Sequence, residues 1–313
     1  MRSPMPFDSG LIESIVVNRR GAEARVASIV GRRPFKKEAQ VRAHLDALSC
    51  IDLTTLDGGD TDDRVDRLCD KALSPIRPDI LAQLGVDGAR VAAVCVYHRQ
   101  VKPAVARLAG TGMPVAAVST FFPDGQGPEE LKPSEIKASI DDGASEIDIV
   151  ITREFALTND WRGLYDQIVR FRKACGDRAK LKVILGTGNL GRLDRIAKAS
   201  CVAIMAGADT IKTSTGKEPV NATLPIGLVM TDQIRRFLKI DQDHPVGFKP
   251  AGGIQTAKDA QAWMALMHEQ LGEAWTKPDL FRIGASSLLG DLERQLHYAA
   301  FGRYAATNHL AIG

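Results

Sequence analysis

Two lysines each follow an apolar residue in a short segment that resembles a buried strand. Lys212 follows Ile211, and Lys249 follows Phe248, each in a segment typical of a buried strand. A lysine in water has a pKa of about 10.4, so little of its amine is free at neutral pH. Burial, together with a second ammonium about 6 Å away, would lower that pKa by about three units. The pair therefore indicates a nucleophilic lysine that forms a Schiff base with a carbonyl, and a second lysine that perturbs it.

An aspartate accompanies the two lysines. Asp148 lies among apolar neighbours in residues 146–150, and a buried carboxylate needs a charged partner or a chemical task. Two interpretations stay open: Asp148 transfers protons, or it forms a structural salt bridge with one of the lysines. The residues do not decide whether Lys212 or Lys249 is the nucleophile. The alternative for each lysine is a side chain that merely extends from the end of its strand into solvent.

Further candidates lie in the first two predicted strands. We predict that Asp52 and Thr54, at the end of the first strand, and Cys95, in the second, contact the substrate. Asp52 also fits a role in shaping the loop that follows it, because aspartate is common in such turns. Cys95 also fits a small buried core residue.

Glycines and serines follow the last predicted strands. Gly216 follows strand six, Gly252 and Gly253 follow strand seven, and Ser286 and Ser287 follow strand eight. Glycine lets backbone N–H groups approach an anion, and a helix that begins at the serines would direct its positive end at that anion. The loops after strands seven and eight are the usual phosphate site of a (β/α)8 barrel. We therefore predict a phosphate site, with turn glycines and a serine N-cap as the alternative.

These residues require a scaffold that brings strand ends together. Short apolar or β-branched segments alternate with helical patterns from residue 50 onward, and they are apolar on both faces, as parallel strands covered by helices are. The predicted strands are residues 50–53, 91–97, 115–119, 146–151, 181–185, 210–213, 246–249 and 281–284. Eight βα units over about 250 residues predict an α/β fold, the (β/α)8 TIM barrel, with a doubly wound sheet as the alternative.

Residues 1–45 differ in charge from the rest of the chain. They carry nine Arg or Lys against four Asp or Glu, although the net charge of the whole chain is only +3. We predict an N-terminal helical arm over residues 1–45, packed on a (β/α)8 domain over residues 46–313. A transit peptide is the alternative, but such peptides are poor in acidic residues. Five widely spaced cysteines without a CxxC pair favour a reducing, cytoplasmic compartment.

Composition excludes several classes of partner. Basic and acidic residues nearly balance, and aromatic residues make up only 5% of the chain, which disfavours nucleic acid. The longest apolar runs have the length of a strand, so we predict no membrane segment. The six histidines show no HxH or HxxxH spacing, which disfavours a metal. We expect small-molecule partners, and the composition is compatible with a homo-oligomer.

One motif points to a different function. Residues 186–191 read GTGNLG, the GxGxxG pattern typical of dinucleotide binding. This pattern follows the fifth predicted strand instead of the first, and the acidic residue that would bind a ribose is missing from the end of the next strand. An NAD-dependent oxidoreductase therefore remains an alternative function. A non-catalytic barrel that binds phosphosugars is another alternative function.

Six segments together resemble the deoxyribose-phosphate aldolase family, in its longer, animal-type branch. The most specific are residues 211–217, IKTSTGK, and residues 247–253, GFKPAGG. The others are residues 52–56, 93–97, 146–148 and 284–287. The resemblance extends over about residues 45–303. It implies a (β/α)8 aldolase that reversibly cleaves 2-deoxy-D-ribose 5-phosphate to D-glyceraldehyde 3-phosphate and acetaldehyde, without metal or cofactor, in deoxyribonucleoside catabolism.

The resemblance also implies roles for individual residues. It assigns the Schiff base to Lys212, makes Lys249 the perturber and proton-transfer partner, and has Asp148 take the proton of the C3 hydroxyl through a water. It further implies that Asp52 and Lys217 hold substrate hydroxyls. The implied phosphate ligands are Gly216, Gly252, Gly253, Ser286 and Ser287.

Two positions depart from the family pattern. The family often has Pro where His98 stands, and Glu where Asn189 stands. Loss of that glutamate removes a charge near the end of the fifth strand, so substrate contacts or pH dependence there are in doubt. No catalytic assignment is lost.

Overall fold

Eight parallel strands form the centre of the computed structural model, which describes residues 3–32, 38–306 and 309–310. They are β1 (Ile51–Thr54), β2 (Ala93–Tyr97), β3 (Val115–Ser119), β4 (Glu146–Val150), β5 (Lys180–Ile184), β6 (Thr210–Lys212), β7 (Gly247–Lys249) and β8 (Ile283–Ala285). Each predicted strand is present, with bounds within two residues of those expected.

Helices lie between consecutive strands, as the sequence pattern predicts. The described residues form α1 (Ser9–Glu13), α2 (Arg19–Gly31), α3 (Glu38–Ser49), α4 (Asp62–Leu73), α5 (Pro78–Gln83), α6 (Val101–Arg107), α7 (Lys132–Asp141), α8 (Arg153–Leu157), α9 (Trp161–Cys175), α10 (Thr187–Leu190), α11 (Leu193–Met205), α12 (Leu224–Leu238), α13 (Ala257–Leu271) and α14 (Leu288–Phe301). Polar N-cap residues mark the first residues of several of these helices. Thr256 and Asp259, for example, form a reciprocal capping box at α13.

The strands pair in parallel in the order β7, β6, β5, β4, β3, β2, β1, β8. Two parallel bridges, Phe248 with Phe281 and Ala251 with Gly284, join the two ends of this sheet. The predicted (β/α)8 barrel is therefore confirmed. The doubly wound alternative is wrong, because an open doubly wound sheet leaves its two edges apart.

The main apolar core lies between the strands and the surrounding helices. Ile147 and Ile149 of β4 are fully buried in this core together with Ile168 and Phe171 of α9. Burial of each such side chain stabilises the fold by about 1.5–3 kcal/mol. Because alternate side chains of a strand point to opposite faces, the outward isoleucines direct Glu146, Asp148 and Val150 into the barrel.

The interior of the barrel is charged, although the strands appear apolar on both faces in the sequence. Seven charged side chains of the inner strand faces are each at most 7% exposed: Asp52, Glu146, Asp148, Lys182, Lys212, Lys249 and Arg282. A small apolar cluster lies beside them and consists of Cys95, Ala116, Val118, Phe122, Val150 and Ile184. The charged layer is therefore enclosed by apolar residues and held away from bulk water.

The N-terminal residues contact helices on the outside of the barrel. The N–H of Met5 donates to the carbonyl oxygen of Met205 at 2.8 Å, and Arg236 donates to the carbonyl oxygen of Leu11 at 3.0 Å. Helix α3 crosses the boundary proposed at residue 45, and residues 33–37 lie outside the described part. The division into an arm and a barrel domain stays a prediction. None of the described helices is long and apolar enough to cross a membrane.

Candidate active site

Lys212 ends β6 and lies inside the barrel, with 3% of its surface exposed. Its Nζ donates to Oδ2 of Asp148 at 2.7 Å. Burial lowers the pKa of Lys212, and the neighbouring Lys249 lowers it further, while Asp148 opposes both effects. Lys212 therefore gives up its proton more readily than a lysine in water.

Lys249 lies directly beside Lys212, since the two residues are register partners on β7 and β6. Its Nζ donates to Oδ2 of Asp148 at 2.8 Å and also contacts Oδ2 of Asp52. Burial alone would lower the pKa of Lys249, but the two carboxylates outweigh burial and raise it. Of the two lysines that the sequence could not distinguish, Lys249 is the one that keeps its charge.

Asp148 connects the lysines. It is fully buried on β4, and its carboxylate contacts Lys212, Lys249 and also Lys182, whose Nζ lies 3.1 Å from Oδ1. Burial alone would raise the pKa of Asp148, but the three ammoniums hold it far below its usual range. The salt bridge that the sequence left open is present. A role in proton transfer stays a prediction.

Three charged residues of this layer were missed by sequence reasoning. Lys182 on β5 contacts Oε2 of Glu146 at 2.6 Å, and Arg282 contacts the same carboxylate at 2.8 Å. Lys182 and Arg282 each stand between apolar neighbours in a predicted strand, which is the signal that identified Asp148, whereas Glu146 follows Ser145 and lacks that signal. These residues enlarge the predicted group of three charged side chains to a network.

Asp52 belongs to the same network. Its carboxylate accepts from Lys182 at 2.9 Å and from Arg282 at 2.7 Å, in addition to its contact with Lys249. Burial would raise the pKa of Asp52, but these cations hold it well below its usual range. Contact between Asp52 and a substrate hydroxyl stays a prediction. The fully buried Cys95 packs in the neighbouring apolar cluster, and burial raises the pKa of its thiol.

A cavity of about 260 Å³ opens above Lys212 at the C-terminal ends of the strands. Eight of the predicted site residues line it: Thr54, Lys212, Gly216, Lys217, Gly252, Gly253, Ser286 and Ser287. The structure therefore brings the predicted nucleophile and the predicted phosphate ligands to one cavity. Asp52, Cys95, Asp148 and Lys249 do not line it and lie buried beneath or beside Lys212.

Glycines shape the backbone of this cavity. Gly216 and Gly252 have φ angles of +83° and +81°, and a Cβ at Gly252 would lie 2.6 Å from Cγ of Asn221. Ser287 occupies the N-cap position of α14, but its side chain makes no capping hydrogen bond. Its hydroxyl is exposed at the cavity, and the positive end of the fourteen-residue helix lies there too. These features favour binding of an anion in the cavity.

The loop after β6 is held by a residue that sequence reasoning missed. The carboxylate of Glu218 accepts from the N–H groups of Thr215 at 2.9 Å and of Gly188 at 2.8 Å. A Cβ at Gly188 would lie 2.0 Å from the carbonyl oxygen of Val220. The GTGNLG segment is thus covered by protein, and one of its N–H groups is already bonded, which argues against a dinucleotide there.

Metal ligands are not gathered at the site. In the described ranges, no group of three or more His, Cys, Asp or Glu side chains is placed to hold a metal ion. The expectation of a reaction without metal or cofactor stays a prediction.

The fold and the site define a class of protein. A lysine amine of lowered pKa lies beneath a cavity of about 260 Å³ at the C-terminal mouth of a (β/α)8 barrel. This arrangement suits nucleophilic attack on the carbonyl group of a small phosphorylated compound.

Comparison with known proteins identifies the family. The profile of the DeoC/LacD family of aldolases matches residues 47–293. Deoxyribose-phosphate aldolases of Bos taurus and Mus musculus are 51% and 52% identical to this chain over 308 residues, which covers 97% of this chain and 96% of each relative. The tetrameric deoxyribose phosphate aldolase from Aeropyrum pernix shares the fold, with a TM-score of 0.57 at 23% identity over 82% of this chain and 96% of that one. The chain belongs to the DeoC/LacD family and is an aldolase.

Proposed function

We propose that this aldolase reversibly cleaves 2-deoxy-D-ribose 5-phosphate to D-glyceraldehyde 3-phosphate and acetaldehyde, with Lys212 as the Schiff-base nucleophile. The observation that carries the proposal is the position of Lys212, which contacts Asp148 at 2.7 Å and also lines the anion cavity. Curated relatives named deoxyribose-phosphate aldolase match 97% of the chain and support the choice of substrate. A role in deoxyribonucleoside catabolism follows from that substrate.

The first step forms the imine. The free amine of Lys212 attacks the C1 aldehyde of the open-chain sugar, and the resulting carbinolamine takes up one proton at its hydroxyl and loses water to give a protonated imine. The lowered pKa of Lys212 increases the fraction of its amine that is free. The charged Lys249 stays beside it and disfavours reprotonation of the amine.

The second step breaks the carbon–carbon bond. The C3 hydroxyl loses its proton to the Asp148 carboxylate through a water, and C3 becomes the aldehyde carbon of D-glyceraldehyde 3-phosphate. The electron pair of the C2–C3 bond moves into the imine and leaves an enamine on Lys212. Protonation at C2 and addition of water then release acetaldehyde and restore the amine. Lys249, which contacts Asp148 at 2.8 Å, is the proton-transfer partner of that carboxylate.

The phosphate and the hydroxyls position the sugar. Gly216, Gly252, Gly253, Ser286 and Ser287 hold the phosphate at the N-terminus of α14. Lys217 is exposed at the same cavity, and in the described residues no carboxylate lies within ion-pair distance of its ammonium. Lys217, Thr54 and Asp52 are the proposed contacts of the sugar, and Cys95 borders it from the apolar cluster.

Chemical trapping tests the proposal. Borohydride added with acetaldehyde should reduce the imine, and peptide mass mapping should place the adduct on Lys212. The matched control is Lys212→Met, which should retain phosphate-ester binding but lose both the adduct and turnover. An unmodified Lys212 peptide in the wild type would refute the mechanism. Phosphate-ester binding without turnover in the wild type would instead support a non-catalytic barrel.

We also propose a cytoplasmic location and a homo-oligomer. All five cysteines are free and buried, which suits a reducing compartment, and burial raises the pKa of Cys50, Cys69, Cys175 and Cys201 to about 12. Val16 and Val220 are 91% and 54% exposed and line the same surface groove, which provides apolar surface for a second copy. Imaging of a tagged chain tests the location, and light scattering tests the assembly; a monomer at micromolar concentration would contradict it.

A further inference from the structure

The seven charged side chains inside the barrel form one connected network. Lys182 lies within 3.1 Å of three carboxylates, those of Asp52, Glu146 and Asp148. Arg282 contacts Asp52 at 2.7 Å and Glu146 at 2.8 Å. The network therefore extends from Arg282 on the opposite side of the layer to Lys212 at the cavity.

The charges of this network do not balance. Four of its members are basic and three are acidic, so the fully ionised network has a net charge of +1 within a nearly solvent-free layer. An uncompensated buried charge is costly, and loss of one proton from a lysine removes it. Arginine does not release a proton in proteins, so the group that loses the proton is one of the three lysines.

The number of carboxylate contacts decides which lysine loses the proton. Among the described side chains, Lys182 contacts three carboxylates and Lys249 contacts two, whereas Lys212 contacts only that of Asp148. Removing the proton of Lys212 therefore sacrifices the fewest ion pairs. The pKa directions agree with this count, because the carboxylates raise the pKa of Lys182 and Lys249 despite burial, whereas burial lowers that of Lys212.

We propose that Lys182, Glu146 and Arg282 are positioning residues that keep Lys212 as the free amine, because the excess of one basic group in the network forces the least-paired lysine to lose its proton. The proposal rests on the proposed role of Lys212 as the nucleophile. None of the three residues lines the cavity, so they act through Asp52, Asp148 and Lys249.

Groups from every neighbouring strand surround Lys212 and enter this balance. The adjacent charged and titratable side chains are Lys182 on β5, Lys249 on β7, Asp148 on β4 and Cys95 on β2, with Lys217 on the cavity wall. Burial raises the pKa of Cys95, so its thiol stays neutral and does not alter the count. The balance therefore depends on the seven network residues.

Two substitutions should move the pH dependence of Lys212 in opposite directions. Arg282→Met removes a basic group, so the network no longer needs to release a proton and the pKa of Lys212 rises. Glu146→Gln removes an acidic group with little change in shape, so the excess grows and the pKa of Lys212 falls. We expect the pH midpoint of borohydride trapping at Lys212 to move up by about one unit in the first and down by about one unit in the second.

The controls separate charge from structure. Arg282→Lys keeps the charge count and should leave the midpoint in place. Arg172→Met removes a buried arginine that pairs with Asp209 at 2.6 Å outside the network, and it should also leave the midpoint in place. General damage to the barrel would lower the amplitude of trapping in all variants without opposite shifts.

The outcomes distinguish this inference from the proposed function. Coincident midpoints in the wild type, Arg282→Met and Glu146→Gln, with Lys212 still trapped, would overturn the charge-balance role. Failure to trap Lys212 in the wild type would overturn the proposed function instead. If Arg282→Met does not fold, the charge-balance role is tested by Glu146→Gln alone. An unchanged pH midpoint of trapping in that variant would then overturn the role.

Discussion

Lys212 and Lys249 contact the same oxygen atom, Oδ2 of Asp148, at 2.7 and 2.8 Å. Two ammoniums on one oxygen repel each other, so the arrangement favours the loss of one proton. Lys249 has a second carboxylate partner in Asp52, and its pKa is raised, whereas Lys212 lacks this second partner and its pKa is lowered. One shared oxygen thus gives two lysines different properties, and each property leads to a measurable consequence.

Asp148→Asn should separate imine formation from bond cleavage. The amide cannot accept the C3 hydroxyl proton, so we expect the rate of cleavage to fall by about 100- to 10,000-fold. The loss of the carboxylate also removes the one group that strongly favours protonated Lys212, so acetaldehyde and borohydride should still label Lys212 at neutral pH. Asp166→Asn, on the exposed face of α9, is the control. Equal losses of trapping and cleavage would contradict a proton-transfer role for Asp148.

Lys249→Leu should lower activity and move its pH optimum. Lys249 carries a charge beside Lys212, and its removal raises the pKa of Lys212, so the free amine forms only at higher pH. We expect the ascending limb of the pH–rate profile to move up by about one unit. Lys277→Leu removes a half-exposed lysine that pairs with Asp46, and its profile should match the wild type. A profile that is unchanged in Lys249→Leu refutes the perturber role.

Ser287→Glu should weaken recognition of the phosphate alone. A carboxylate at the N-terminus of α14 would repel the phosphate, so kcat/KM for 2-deoxyribose 5-phosphate should fall by about 10- to 100-fold. The same ratio for unphosphorylated 2-deoxyribose should change by less than about threefold, because no anion is repelled. Ser28→Glu, on the exposed surface of α2, is the matched control. Parallel losses for both sugars would place the phosphate elsewhere.

The buried carboxylates predict a fall in stability at acid pH. Burial alone would raise the pKa values of Asp52, Glu146 and Asp148, but the cations of the network lower them. A carboxylate whose pKa is lower in the folded state stabilises the fold above its unfolded pKa of about 4, and this contribution disappears as the pH falls further. Urea unfolding between pH 3 and 7 should show the decline below pH 4. Glu146→Gln should flatten it, and a free energy of unfolding that is constant below pH 4 would contradict the ion pairs.

Much of the fold and part of the site are visible in the sequence because their signals are local. The alternation of strand and helix periods predicts the barrel, and the glycines and serines after the last strands predict the cavity that the structure contains. Lys212, Lys249 and Asp148 are detectable because a charged residue within a segment typical of a buried strand is a local anomaly.

Other parts of the site depend on residues that are far apart in the chain. Lys182 and Asp52 are separated by 130 positions, and Arg282 and Glu146 by 136, so no local pattern pairs them. Lys182 also lies two residues after the exposed Lys180 on its strand. Its charge is therefore typical of a residue at the solvent-exposed start of a strand. Glu218, which holds the loop after β6, depends in the same way on the approach of Gly188 from the neighbouring loop.

The sequence by itself determined the order of the elements and the types of residue at the strand ends, because both follow from local periodicity and side-chain chemistry. It did not determine which lysine has the lowered pKa that the proposed nucleophile needs. That difference depends on how many of the described carboxylates each ammonium contacts, one for Lys212, two for Lys249 and three for Lys182. Closure and register of the barrel set these numbers, since they decide which side chains of five strands meet Arg282, just before β8, in the interior.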